Sequence, residues 1–235
     1  MNSLLIASFR YLYLISFFLC LTFAVNSCSK EEKEIAAPDF PVQLSFDQLS
    51  PVSEMRFFVG GVELNGGSNQ QSLQSFLERK YTTNTGTGTI HYQSGFIEPD
   101  ANNYKNTSFT YNSYEQVKYV VDIIEIKRQN DITILKSKVT NRVDLDPIVQ
   151  SELFKYQFDI NSNGTYNYQY VVNETDQSLE VSLLYYKLVR YNDQGEREDL
   201  AFGKVHNQFN ELFIKTLGAR DTLAIKEYRL KYVAP

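Results

Sequence analysis

Three successive stretches toward the end of the chain alternate apolar and polar residues around turn-forming residues, and this restricts the fold to antiparallel β-structure. Tyr156, Phe158 and Ile160 alternate with polar residues, Asn161-Ser162-Asn163-Gly164 turns the chain, and Tyr166, Tyr168, Tyr170 and Val172 alternate back. A second hairpin runs from Leu179–Tyr191 through Asn192-Asp193-Gln194-Gly195 to Glu196–His206. A third runs from Glu211–Leu217 through Gly218-Ala219-Arg220-Asp221 to Thr222–Val233. A period of two residues places alternate side chains on opposite faces, and Asn, Asp and Gly supply the turn conformations. Sequential hairpins build a meander. At this spacing roughly ten to twelve strands are expected, enough for an antiparallel sandwich or barrel. The fold class is all-β.

The earlier part of the chain is less regular. Val42-Gln43-Leu44-Ser45-Phe46 alternates as a half-buried strand does, and Met55–Val59 reads as a second strand. Gly60-Gly61 breaks it, Val62-Glu63-Leu64 continues extended, and Asn65-Gly66 signals a turn. One short helix is expected over 69–80, capped by Ser68, with Leu73, Phe76, Leu77 and Lys80 on one face. Thr82–Thr89 reads as a loop, and Ser94–Asn106, with Pro99, is the longest weakly patterned region. Val117–Ile126 is apolar on both parities and reads as a single central strand. Gln129-Asn130-Asp131 turns into a strand over Ile132–Val139, and residues 140–152, with Pro147, read as a loop or a single helical turn.

The first residues carry an address. Residues 1–27 hold one charge, Arg10, and an apolar run from Tyr11 to Val25 broken only by Ser16 and Thr22. That is the length of a signal-peptide h-region and short of the ~20 apolar residues that span a bilayer. Val25-Asn26-Ser27-Cys28 resembles the lipobox of bacterial lipoproteins, with an aliphatic residue at −3 and a small one at −1; Asn26 at −2 is a departure. The resemblance implies a diacylglyceryl group on Cys28, cleavage before it, and acyl chains such as palmitate holding the protein to a membrane. Lys30-Glu31-Glu32 resembles the short signal that sends lipoproteins of Bacteroidota-type bacteria to the outer face of the outer membrane. The expected organisation is a signal peptide over 1–27, a lipidated cysteine and flexible tether over 28–41, and one β-rich domain over 42–235. The expected location is the outer membrane, lipid-anchored, facing the cell surface or the periplasm.

Removing residues 1–27 takes away Arg10 alone among the charges, so 23 basic residues become 22 against 28 acids, a net charge of about −6. An acidic chain lacks the basic footprint that nucleic acid requires. The cysteines are Cys20 and Cys28 only. The first leaves with the leader and lipidation consumes the second, so neither disulfides nor thiol chemistry are expected in the mature chain.

No catalytic constellation stands out, and the expected role is non-enzymatic, with no cofactor and no metal. There is no Gly-x-Ser-x-Gly elbow, and the histidines are His91 and His206, each in or beside a predicted strand. The carboxylate pairs Glu98 with Asp100, and Asp144 with Asp146, lie in loops, where acidic residues are ordinarily solvated. Tyr166, Tyr168 and Tyr170 make a stripe that contacts a ligand if it faces outward and forms core if it faces inward. Asp221-Thr222-Leu223 resembles a three-residue O-glycosylation site of exported bacterial proteins, with Thr222 the acceptor if its turn is exposed.

Three functional expectations follow. The first is a lipid-anchored envelope or surface lipoprotein with a binding or structural role, its partners the membrane and another envelope protein. The second is a lipocalin-like carrier of a small apolar ligand, although the early Gly-x-Trp signature of lipocalins is absent. The third is a surface glycan-binding or glycan-processing accessory protein.

Overall fold

The computed structural model describes residues 40–64, 66–84, 89–92, 98–120, 122–129, 132–142, 152–158, 160, 165–175 and 177–235. The expected leader, Cys28, Lys30, Glu31 and Glu32 fall outside these residues, as do Asp144 and Asp146 and the expected turns at 130–131 and 161–164.

Among the described residues thirteen strands are present: β1 (Val42–Pro51), β2 (Arg56–Val59), β3 (Val62–Glu63), β4 (Tyr81–Asn84), β5 (Thr89–Tyr92), β6 (Ser108–Tyr111), β7 (Gln116–Tyr119), β8 (Asp122–Gln129), β9 (Ile132–Arg142), β10 (Thr165–Thr175), β11 (Ser178–Tyr191), β12 (Arg197–Val205) and β13 (Thr222–Val233). Among the described residues one α-helix, α1 (Gly66–Glu78), lies between β3 and β4, and two 3-10 turns span Ala101–Asn103 and Glu211–Thr216.

The architecture turns on β11 and β13. Neither contains Gly or Pro, and they pair antiparallel without interruption from Ser178↔Val233 to Val189↔Thr222. Each has more length than one neighbour uses. On its free edge β11 holds β10 with residues 178–181 and then β12 with residues 184–191. On its own free edge β13 holds β1 with residues 228–233 and then β2 with residues 222–225. One half of the ladder therefore closes a ring of eight antiparallel strands, in the order β11-β10-β9-β8-β7-β6-β1-β13. The other half continues out of the ring as an open sheet, β12-β11-β13-β2-β3.

The ring interior is packed. It holds Leu44, Phe109, Val117, Ile124, Leu135, Val172, Leu179, Val181, Leu183 and Leu230 together with Tyr170, Tyr185, Tyr228 and Tyr232. Phe109 stacks on Tyr119 at 4.5 Å and meets Tyr232 edge-on at 4.8 Å; Tyr119 meets Tyr170 at 5.4 Å. Eight strands leave an interior that side chains can just fill. The open sheet has a core on each face. Phe57, Phe76, Tyr81, Val189 and Ala224 lie on the face that α1 covers. Phe58, Leu184, Tyr186, Leu188, Leu223 and Ile225 lie on the other, with Leu153, Phe154, Phe209 and Phe213.

Several expectations are corrected. Val117–Ile126 is not one strand but the hairpin β7–β8, in which Tyr119 pairs with Asp122. Val120 begins its two-residue connection at φ 55°, a left-handed conformation rare for a β-branched side chain. Thr82–Thr89 is not a loop throughout: Thr82–Asn84 belong to β4, which pairs with β5, as β-branched threonine allows. Glu211–Leu217 is not a strand. Asn210 caps a 3-10 turn over 211–216, its side chain accepting from the Leu212 N–H at 3.2 Å. The arm Tyr156–Ile160 is not a strand either; single bridges at Phe154↔Phe209 and Ile160↔Tyr166 hold the segment. The helix begins at Gly66, so Ser68 sits inside its first turn and not before it, and it ends at Glu78. Thr140–Arg142, expected to be loop, complete β9.

Candidate functional site

The face of β11 and β13 that lines the barrel does not end at its mouth. Side chains two residues apart share a face. Val181, Leu183 and Tyr185 are therefore followed on that face by Lys187 and Val189, and Leu230 and Tyr228 by Lys226 and Ala224. The pairs Leu183↔Tyr228, Tyr185↔Lys226 and Lys187↔Ala224 are alternate rungs of the ladder and follow one another along that face. Between the apolar barrel core and the apolar core under α1 lies a short polar seam with two lysines and two tyrosines.

Lys187 is 1% exposed. Its ammonium donates to the carbonyls of Phe76 at 2.5 Å, Leu77 at 3.1 Å and Arg79 at 3.0 Å. These belong to the last turn of α1 and the residue after it, where backbone carbonyls have no helical partner and the helix dipole is negative. The ammonium also lies over the rings of Phe76 (4.8 Å) and Tyr81 (5.2 Å), an arrangement favourable for a cation. Burial, with the nearby Arg79 charge, brings its pKa down to about 8.

Lys226 faces a different partner. Its ammonium donates to Glu98 Oε1 at 2.7 Å, and the Tyr228 hydroxyl donates to Glu98 Oε2. Burial pushes the Glu98 carboxyl up, but the hydrogen bonds from Lys226 and Tyr228 and the lysine charge outweigh it and hold the group below its usual range. Burial raises the Tyr228 phenol, and the Glu98 hydrogen bond and charge raise it further. Behind this pair the hydroxyls of Tyr185 and Tyr104 are hydrogen-bonded, and burial raises both phenols. Tyr104 is brought in by the 3-10 turn that Asp100 caps, its carboxylate accepting the Asn102 N–H at 2.8 Å. Glu98 and Asp100 thus do separate work, one in an ion pair and one in a cap, and are not an opposed catalytic pair.

The far end of the barrel is tied by Glu174, which accepts from Tyr111 Oη (2.8 Å), Arg128 Nε (2.9 Å) and Thr133 Oγ1 (2.7 Å). These bonds link β6, β8, β9 and β10 and leave that carboxylate fully occupied.

The tyrosine stripe divides. The β9–β10 register shifts between Asn167 and Gln169, and the Asn167 amide donates to the Ser137 carbonyl at 2.7 Å. Tyr170 lies in the barrel core. Tyr168 is 42% exposed and neighbours Tyr166, whose ring meets Phe158 at 5.3 Å. Thr222 opens β13 with backbone pairing on both sides, to Val59 and Val189, next to the buried Asp221. It is a strand residue, not the tip of an exposed turn.

His206 follows β12 and lies against Tyr170, with ring centroids 4.6 Å apart. Burial, with the Lys204 charge, brings its pKa down to about 4. The unfolded imidazole takes a proton near 6.5 and the folded one only near 4, so between these values the unfolded chain binds more protons. Stability therefore falls as pH drops from 6.5 toward 4, by on the order of 3 kcal/mol for this group. Melting curves of wild type and His206→Gln from pH 7.5 to 4.5 are expected to converge as pH falls; parallel curves would remove the claim. His91 lies in β5, paired with Thr82, far from His206 in sequence. Among the described residues no three His, Cys, Asp or Glu side chains gather as metal ligands do.

The seam was not singled out in the sequence, although a signal for it exists. Lys187 falls on the apolar parity of β11, between Tyr185 and Val189, where an outward-facing lysine does not belong. Lys226 stands likewise between Ala224 and Tyr228 on β13.

Together these elements define a closed eight-stranded antiparallel β-barrel with a sheet extension and a polar mouth. No protein-family model matches this chain, and neither a curated protein nor a solved structure matches it.

Proposed function

We propose that this chain is a lipid-anchored envelope lipoprotein, held to the outer membrane through Cys28 and directed to the surface by Lys30, Glu31 and Glu32, with a non-enzymatic binding role. The observation that carries the binding half is the packed barrel. Phe109 meets Tyr119, Tyr170 and Tyr232 in the interior, and Tyr119 meets Tyr170. That favours a barrel used as a rigid scaffold over one used as a container, and it counts against the lipocalin-like reading. Recognition then falls to the mouth and the outer surface, where the Phe158–Tyr166–Tyr168 aromatics offer the kind of stacking surface a glycan or protein uses. The anchor half rests on the lipobox resemblance. Among the described residues no helix is long and apolar enough to cross a membrane.

The test is expression of the full chain in a bacterium with a lipoprotein export pathway. The mature protein is expected to begin at Cys28 with its acyl mass, to partition with membranes, and to become soluble and unacylated in Cys28→Ala. An unmodified Cys28, or an intact Met1 in the envelope fraction, defeats the anchor. Saturable one-to-one uptake of an apolar fluorescent probe by the wild-type barrel would favour the carrier instead.

A further inference from the structure

We infer that the Lys226–Tyr228 pair at the barrel mouth is a receiving site for the carboxylate of a small carboxylic acid, and that Glu98 is its built-in, displaceable occupant. The two halves of this contact differ in kind. Lys226 and Tyr228 belong to β13, which pairs with β11 at both residues and lies beside β1 at Tyr228. Tyr228 is 4% exposed, and the Lys226 side chain is 15% exposed. The cation and the phenol are therefore fixed by the barrel wall. Glu98 lies outside any strand or helix, ahead of the 3-10 turn at Ala101–Asn103, and its side chain is 60% exposed. The receiver is rigid and the occupant comes from the surface.

The chemistry of the receiver is specific. One donor is aimed at each oxygen of a single carboxylate, from Lys226 to Oε1 and from Tyr228 to Oε2. That two-point geometry suits the flat, bidentate acceptor shape of a carboxylate, and a neutral amide offers no charge to the Lys226 ammonium. The Glu98 end of the pair is open to water, where solvent screening weakens an ion pair. Glu98 belongs to the same chain, which gives it an effective concentration that a free acid must overcome. An incoming acid adds contacts that Glu98 cannot make. The Tyr185 and Tyr228 rings, 5.6 Å apart and edge to face, stand beside the site and suit a short apolar or aromatic body.

The inference stands whether or not Cys28 is acylated, so its failure is separate from that of the anchor. Propionate and benzoate, with propionamide and benzamide as neutral controls, are titrated into the folded chain while the tyrosine ring signals are followed by NMR. The acids are expected to bind wild type saturably and to bind Glu98→Ala at least about tenfold more tightly, shifting the Tyr228 and Tyr185 signals. The amides are expected to bind neither, and Lys226→Met to abolish binding in both backgrounds. Tyr228→Phe, which keeps the ring, is expected to weaken wild-type binding and supplies a reading if Glu98→Ala fails to fold. Absence of acid binding to a folded Glu98→Ala overturns the inference. So does saturation of Glu98→Ala with no response from wild type, because Glu98 is then a permanent lock.

Discussion

Replacing Phe109 by alanine is expected to lower the stability of the barrel by about 3–5 kcal/mol, measured by urea or thermal unfolding. Phe109 is 1% exposed and sits in β6, where its backbone pairs with Leu44 of β1 and Tyr119 of β7. Its ring touches Tyr119, Tyr232 and Tyr170, which come from β7, β13 and β10. One side chain thus links strands on opposite sides of the ring. Its removal takes away the transfer free energy of the ring and leaves a cavity that three large, mutually constrained tyrosines cannot collapse into. Domains of this kind have total stabilities of ~5–15 kcal/mol, so the variant is expected to be near the edge of folding at 37 °C. Val62→Ala, at a position 63% exposed on the outermost strand, serves as the control and is expected to change stability by less than about 0.5 kcal/mol. Equal losses at the two positions would mean that the ring core does not carry the fold.

Lys187→Met is expected to destabilise the protein by a few kcal/mol, with the effect concentrated on α1 and β4. Two contributions oppose each other. Burying the ammonium is unfavourable, and the fall from 10.5 to about 8 sets that cost at about 3 kcal/mol at neutral pH. Removing the charge relieves this, which is why buried ions are often replaced by apolar residues without loss. Methionine, however, leaves the carbonyls of Phe76, Leu77 and Arg79 without this donor, at about 1–3 kcal/mol each where they stay buried. The cation–ring contacts with Phe76 and Tyr81 go as well. Three lost acceptors outweigh one relieved charge. Native-state hydrogen exchange is the discriminating measurement. Amides of α1 and of Tyr81–Asn84 are expected to exchange faster by one to several orders of magnitude, about tenfold per 1.4 kcal/mol, while Val172 and Leu230 stay protected. Unchanged protection in α1 would show that its apolar residues, not Lys187, hold it to the sheet.

The pH behaviour of the two buried bases is separable. Lys187 titrates near 8 in the fold and near 10.5 unfolded, so its cost is present at neutral pH and relieved as pH rises through that window. His206 acts at the other end, losing stability between 6.5 and 4. A chain carrying both is expected to be least stable on the acid side, where the Glu98 and Glu63 carboxylates, both held below their usual range by their partners, also lose their ion pairs.

Particular elements were legible in the sequence to different degrees. The hairpin β11–β12 is where the alternation placed it, because period two, β-branched and aromatic residues and an Asn-Asp-Gln-Gly turn all agree. Gly195, at φ 83°, takes the conformation that turn needs. β1, β2 and β13 were legible for the same reason. The hairpin β7–β8 was hidden because its turn carries no Gly, Asn or Asp; a valine occupies the left-handed position, and only pairing on both sides holds it there. The 3-10 turn at 211–216 mimics a strand because Phe213 points to the core while Leu212 is exposed; the capping Asn210 was the missed cue.

By itself the sequence determined the class: alternation and turn residues point to antiparallel sheet, while the lipobox-like Val25–Cys28 stretch carries an expectation of an anchor. Only the tertiary structure decided between sandwich and barrel. That choice rests on β11 and β13 being long enough to serve two neighbours each, and on β11 and β13 pairing with each other, and local pattern says nothing about which edge meets which. The same closure turned Lys187 and Lys226 from two unremarked lysines in strands into the polar seam at the mouth. Whether an inward lysine is a fault or a site depends on what crosses over it, here the last turn of α1 and the carboxylate of Glu98.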